Sequence, residues 1–356
     1  MQHNIKNYVC YASSDLFAEP AGISIVSLLE NVKDNTITEI FLLDYGLSEE
    51  SIARFREIEN SYGVKITLIR SKEIIESERD NLGLSDFSGS MATYSRAFID
   101  LIIPEYVDKL LYIDADTIVC DDVSDVFNIE LNECVMAGIV GINQYAPLLT
   151  NKVWINPELQ LINHNSTYFA CGVVLYSLNN WRKSDCRRMI CSACSKISEY
   201  PYADQTLINN AIPEKLIYRL PAKYNSWLHE LPACCAREEL LRGGKLSEPE
   251  IIDAISNPVI HHYKGEYYRP WYYESLSRAN DVFLKYKSIS PWKDVPLKHL
   301  SKLSGDDKTV FITKIELMTL GKRQSIKNRS FLRLYDFISL NFRRLCRKYA
   351  VIRYGR

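Results

Sequence analysis

Apolar and polar positions in the first seventy residues switch between two periods. Tyr8 to Ala12 is a short apolar run that predicts a buried strand; polar Ser13-Ser14-Asp15 follows, then a helix-period stretch from Ala21 to Asn31. Glu39-Ile-Phe-Leu-Leu-Asp44 predicts a second strand. After it Ser48 is placed to cap a helix, with Glu49 and Glu50 favourable in the first turn. Ile52, Phe55, Ile58 and Tyr62 share one face, and Gly63 supplies the stop. Val64 to Ile69 returns as a third strand, and this β-α-β-α-β order predicts a parallel sheet with crossover helices.

Further on, Met91 to Ile103 reads as a helix closed by Pro104, and Lys109 to Ile113 as a strand. Cys134 to Val140 and Tyr168 to Leu178 are later strands, the second running into helix at Asn179. Asp204 to Asn210 is a short helix, and Val259 to Gly265 a strand leaving into a glycine loop. Residues 278–321 are less periodic and read as a connector between a body, 1–277, and a terminal segment, 322–356.

A chain of 356 residues can bury a sizeable core. It has no run of about 18 apolar residues that would suggest a membrane span, and its start lacks the pattern of a secretory signal. These features predict a cytoplasmic protein. The ten cysteines are scattered, several inside apolar runs, so a disulfide framework is not expected. Cys191-x-x-Cys194, with no second close pair, reads as one face of a helix rather than a zinc site.

The net charge of −1 conceals a polarised distribution: from Met318 to Arg356 there are eleven Lys or Arg and one acid, Asp336. On a helical grid Phe331, Leu334, Ile338, Phe342 and Leu345 form a stripe, with Arg333, Arg344, Arg347 and Lys348 away from it. Such a segment suits an anionic membrane surface, here the inner face of the cell membrane. The alternative is a terminal helix packed on the body. A nucleic acid is not among the expected partners.

The candidate chemistry lies at the end of the strand Lys109–Ile113. Residues i and i+2 of a strand point the same way, so Asp114 and Asp116 can converge on one cation. Carboxylate oxygens suit Mg²⁺ or Mn²⁺, which suit a diphosphate. His262 follows another apolar strand and precedes Gly265, so it could add a nitrogen ligand, tilting the choice toward Mn²⁺. Taken alone, each feature also fits a solvated strand end or a hydrogen-bonded histidine.

Five ordered segments carry a resemblance: Tyr94-Ser-Arg-Ala-Phe98, Leu111-Tyr-Ile-Asp-Ala-Asp-Thr-Ile118, Tyr168-Phe-Ala-Cys-Gly172 running on to Arg182, Tyr202-Ala-Asp-Gln-Thr-Leu-Ile208, and His262-Tyr-Lys-Gly265 with Pro270-Trp271. In order and spacing they resemble the motifs of family 8 glycosyltransferases, over roughly residues 6–275. That family includes bacterial lipopolysaccharide galactosyl- and glucosyltransferases and the glycogenins. The resemblance implies an α/β, Rossmann-like GT-A fold with a mixed central sheet flanked by helices, extended here by the basic terminal segment. It also implies transfer of glucose or galactose from UDP-glucose or UDP-galactose, with retention, to a saccharide or glycolipid acceptor.

By the same resemblance Asp114, Asp116 and His262 hold the metal. Ala12, Ser14 and Asp15 lie at the nucleoside, Gly265 and Arg269 close over the diphosphate, and Ala115 is a further donor-binding position. Arg96 contacts donor phosphate or sugar. Asp204 binds sugar hydroxyls, and Gln205 faces the reacting carbon as a weak nucleophile or a stabiliser of positive charge. The chain departs from the common pattern at Ser14, at Ala170-Cys171 and in a loop one residue longer after Gly265. Two other readings stay open: a haloacid dehalogenase-type phosphatase, with Asp114 as nucleophile and Thr117 completing its motif, and a nucleotide-sugar-binding scaffold without activity.

Overall fold

In a computed structural model of the chain, the apolar runs become β1 (Tyr8–Ser13), β2 (Glu39–Asp44), β3 (Lys65–Arg70), β4 (Lys109–Ile113), β5 (Thr117–Val119), β6 (Met136–Val140), β7 (Phe169–Ser177), β8 (Ile217–Leu220) and β9 (Ile260–His262). The structure describes residues 6–33, 36–84, 92–140, 167–195, 203–227, 246–300, 307–326 and 328–354. Met91, Tyr202, Cys234 and Cys235 lie outside them.

Seven strands form one sheet in the order β3-β2-β1-β4-β7-β6-β8, and β5 pairs with β9 in a second, two-stranded sheet. The parallel arrangement expected from the sequence holds for β3, β2, β1 and β4. Beyond β4 it gives way, because β7 runs antiparallel to both β4 and β6. The reversal has a direct consequence for function. With Ile113 opposite Val173, the beginning of β7 lies beside the carboxyl end of β4, and Asp114 N–H donates to Gly172 O at 2.8 Å.

Helix α1 (Ala18–Asn31) is buried from Ala18 through Leu28, including polar Ser24 and Ser27. A helix buried all round must find partners for its hydroxyls. Ser27 Oγ accepts from Val119 N–H at 2.8 Å, Asn31 Nδ2 donates to Val119 O at 3.1 Å, and Ser24 Oγ meets Thr117 Oγ1 at 2.9 Å. Ser27 and Asn31 on one face of α1 therefore satisfy the β5 backbone at Val119, and Ser24 holds the Thr117 side chain. Helix α2 (Glu49–Tyr62) starts and stops where the sequence predicts. Ser48 Oγ accepts from Ser51 N–H, Phe55 and Ile58 are buried, and Gly63 sits at φ 65°.

The predicted helix Met91–Ile103 is broken. Its described part is a 3₁₀ turn, Ala92–Arg96, and one short α turn, Ile99–Ile102. Tyr94 through Ile99 are all buried, which a one-sided helix cannot achieve, and the break turns Arg96 inward.

Residues 280–300 pack on the body. Phe283, Tyr286 and Trp292 are buried, Lys287 pairs with Glu19 in the interior, and Lys287 Nζ also donates to Trp292 O. A Cβ on Gly22 would lie 2.0 Å from the Trp292 ring, so the indole fills a notch in α1 that only glycine leaves open.

The chain then forms a helical hairpin, Asp307–Ser325 against Arg329–Tyr354. Arg323 pairs with Asp336 at 2.8 Å, and Tyr335 Oη donates to Thr319 O. Leu317 packs against the core, while Phe331, Leu334, Ile338, Phe342 and Leu345 all face outward. The predicted stripe is therefore a surface of the hairpin, not a seam against the body. No helix among the described residues is long and apolar enough to cross a membrane.

Candidate active site

Where β4 ends, Asp114-Ala115-Asp116 turns the chain into β5. Thr117 fixes that turn: its hydroxyl donates to Asp114 O at 2.8 Å and meets Ser24 across α1. Ala115 is buried in the core, so the two flanking carboxylates are the polar groups presented at the turn. The register of the small sheet sets Thr117 opposite His262, and Tyr263 N–H donates to Asp116 O at 2.9 Å. Residues nearly 150 positions apart are thereby brought together by backbone pairing.

One ligand atom each from Asp114, Asp116 and His262 lies within 4.8 Å of the others. His262 Nε2 is 3.1 Å from Asp116 Oδ1 and 4.0 Å from Asp114 Oδ2. Its Nδ1 is 2.9 Å from Asn225 Oδ1. Two carboxylates and an imidazole nitrogen form a donor set suited to a divalent cation. Gly172 keeps the space open, since a Cβ there would lie 2.6 Å from His262 Cε1 and 2.9 Å from Asp114 Oδ2. These residues fit a metal ion. Burial pushes Asp116 toward the neutral acid, but His262 and Arg269 more than reverse this and hold it at about 2.

The adjacent histidine is not equivalent. His261 is fully buried, its Nδ1 lies 2.9 Å from Ser226 O, and its ring meets that of Tyr263 edge-on at 4.5 Å. Burial lowers its pKa to about 3, so it stays neutral.

A second polar layer lies beneath the carboxylates. Arg96 Nη1 donates to both oxygens of Asp114, at 3.0 and 2.9 Å, and to Cys171 O at 3.0 Å; Nη2 donates to Asp204 Oδ1 at 2.8 Å. Arg96 Nε is 2.7 Å from Asp204 Oδ2, an ion pair at an angle too poor for a hydrogen bond. Arg96 projects from a 3₁₀ turn rather than from the expected helix, and its guanidinium is turned to two carboxylates and to the carbonyls of Cys171 and Thr93. Asp204 is 1% exposed, and burial, opposed by Arg96, raises its pKa to about 7.

Gln205 stands beside it on the helix Ala203–Ala211. Its Oε1 accepts from Cys171 N–H at 3.0 Å, and its Nε2 donates to Tyr168 Oη at 2.7 Å. Both ends of the amide are thus held by the first residues of β7 and the residue before it.

A model of glycosyl transferase family 8 matches residues 8–275. The chain belongs to that family. Among its relatives, lipopolysaccharide 1,2-glucosyltransferase of Escherichia coli is 26% identical over 287 residues, covering 79% of this chain and 78% of that protein. The fold matches the galactosyltransferase LgtC, solved with donor and acceptor sugar analogues, at TM-score 0.62 and 19% identity, over 80% of this chain and 96% of that one. It also matches the bifunctional glycosyltransferase WbbM at TM-score 0.65 and 18% identity, over 83% of this chain; the match spans about half, 51%, of WbbM. The fold is therefore the expected GT-A type, and the chain is a glycosyltransferase.

In this family 8 member, the other predicted donor residues occupy the carboxyl ends of β1 and β9. Ala12 is nearly buried in β1, and Ser14 is half-buried just beyond it. Asp15 has a structural task, because its Oδ1 accepts from Ser48 N–H, Ser48 Oγ and Ser51 Oγ at the start of α2. Those bonds pull its pKa down. Gly265 adopts φ 97°, which a residue with a side chain resists. The 3₁₀ turn Glu266–Tyr268 takes up the longer loop and returns Arg269 to the site, with Nη2 3.6 Å from Asp116 Oδ2. The guanidinium lies over the rings of Phe17 at 5.0 Å and Trp271 at 5.7 Å.

Sequence reasoning did not single out Asn225, Tyr168 or Phe17. Asn225 closes a 3₁₀ turn, Ala222–Asn225, with no charge or motif to mark it. A buried amide beside an apolar run, Tyr224 before it and Trp227 after, was the available signal.

Proposed function

We propose that this glycosyltransferase moves a glucose or galactose from a UDP-sugar to a saccharide acceptor, with retention at the sugar, and that Mn²⁺ serves at the diphosphate. The acceptor we favour is lipopolysaccharide or another cell-surface glycan. The observation that carries the reading is the convergence of Asp114, Asp116 and His262, with Gly172 leaving room beside Asp114 and the His262 ring. A divalent cation bound there would neutralise charge on the departing diphosphate.

The chain's own residues supply the rest. Arg269, held over Phe17 and Trp271, offers a fixed positive charge at the rim. Asp204 and Gln205 stand on the far side of Arg96 from the metal ligands, with Gln205 oriented by Cys171 N–H and Tyr168. An amide held at both ends suits stabilisation of a positively charged sugar in preference to free nucleophilic attack. The outward stripe of the terminal hairpin, with its basic neighbours, supports peripheral binding to the anionic inner face of the cell membrane. A glycolipid acceptor would be met at that surface.

The phosphatase reading loses its main support. Asp114, its nucleophile, is clamped at both oxygens by Arg96, and Thr117 is engaged in the turn and with α1.

The test is release of UDP from UDP-glucose and UDP-galactose by the purified protein with Mn²⁺, alongside phosphate release from p-nitrophenyl phosphate. Metal-dependent UDP release that EDTA abolishes, with no phosphate from the monoester, is the expected result. Phosphate release without UDP release would overturn the proposal.

A further inference from the structure

Asn225 is 2% exposed and lies at the end of a turn that runs beside β9. The contact between them is set by the backbone: Ser226 N–H donates to Ile260 O and His262 N–H donates to Ser226 O, both at 2.9 Å. Ser226 also bridges to His261 in parallel register. Residue 225 is thus delivered to the Nδ1 side of the His262 ring, opposite the side that faces Asp114 and Asp116.

An amide oxygen is an acceptor only. Asn225 Oδ1 at 2.9 Å therefore asks for a hydrogen on Nδ1. With that hydrogen fixed, a neutral imidazole must carry its lone pair on Nε2, the atom 3.1 Å from Asp116 Oδ1. Without Asn225 the preference reverses. Among the described residues the ring's other polar neighbours are Asp116 and, at 4.0 Å, Asp114, and a hydrogen on Nε2 would donate to Asp116, occupying the position where a cation must bind.

We infer that Asn225 is a positioning residue: it fixes the tautomer and angle of His262 so that Nε2 faces the two carboxylates as a ligand. This rests on the metal reading of the site, but the tautomer itself can be observed without metal. Outer partners of ligating histidines typically contribute 10–100-fold to metal affinity.

The experiment compares full-length wild type, Asn225→Leu and Asn225→Asp, each checked for an unchanged thermal transition. Asp keeps an acceptor near Nδ1 and Leu removes it. In metal-free protein with ¹⁵N-labelled histidine and neutral rings, we expect the His262 hydrogen on Nδ1 in wild type and Asn225→Asp, and on Nε2 in Asn225→Leu. In Mn²⁺ titrations followed by the paramagnetic resonance of the free ion, Asn225→Leu is expected to bind about 10–100-fold more weakly than wild type. Asn225→Asp is expected to recover at least the larger part of that loss.

A wild-type tautomer in Asn225→Leu would overturn the inference, as would Mn²⁺ affinity in that variant equal to wild type. Wild-type protein that shows the Nδ1 hydrogen yet binds no Mn²⁺ would support the role of Asn225 and overturn the metal reading instead.

Discussion

The site beneath β4 and the hairpin at the chain's end solve opposite problems. Around Arg96, charged groups are taken out of water and survive because each meets a partner from a distant segment: Asp114 is 18 residues away and Asp204 is 108. Along the terminal helix, apolar groups stand exposed, with no cover from the body among the described residues, Phe337 at 69% exposure. Buried charge without a partner costs several kcal/mol, whereas an exposed phenylalanine costs little until something binds it. The first region is therefore sensitive to loss of any one member, and the second should tolerate change in the free protein.

Arg96→Met breaks the comparison where it is strongest. It leaves Asp114 and Asp204 buried without their cation, and denaturant unfolding should show a loss of about 3–5 kcal/mol, with sugar transfer abolished. Stability within 1 kcal/mol of wild type would mean that the two carboxylates are not held as charges. Gly172→Ala tests the metal gap more narrowly. Its Cβ would press on His262 and Asp114 while the rest of β7 remains paired, so Mn²⁺ affinity should fall about 10–100-fold, as measured by equilibrium dialysis.

Ser48→Ala removes one helix cap and one of the three bonds to Asp15. A loss of about 1 kcal/mol is expected, readable as a lower denaturation midpoint with an unchanged slope. Phe331→Glu, at the head of the stripe, lies at the other end of the scale. Its stability should stay within about 0.5 kcal/mol of wild type, while sedimentation with vesicles containing anionic lipid should fall about tenfold or more, as loss of one buried aromatic side chain implies. Unchanged vesicle binding would show that the stripe serves another surface.

The same contrast decides what could be read from the sequence. Strand β4, the cap at Ser48, the stop at Gly63 and the terminal stripe were legible because each is specified by neighbours within a few turns. The metal ligands were legible as motifs, and the family resemblance supplied their roles. The break after Arg96 was not visible, because it answers to carboxylates on other segments. Asn225 acts on a residue 37 positions away and carries no charge to betray it. The reversal of β7 could not be read from its own apolar run, which reads the same in either direction; the mixed sheet was expected only through the family resemblance. Thr117, which resembled part of a phosphatase motif, owes its place to Ser24 and the Asp114 carbonyl.

The notch at Gly22 bears on how the protein is made. Glu19 and Lys287, which fasten the same helix, are 268 residues apart. At roughly 5–20 residues per second, α1 leaves the ribosome on the order of half a minute before Trp292 exists to fill it. The earliest helix of the chain must wait for nearly the last part of the body, with its apolar groove open to chaperones. Ribosome-bound chains halted before residue 287 should expose α1 to protease, and chains halted well past residue 300 should protect it. Equal protection of both would show that the first half closes unaided.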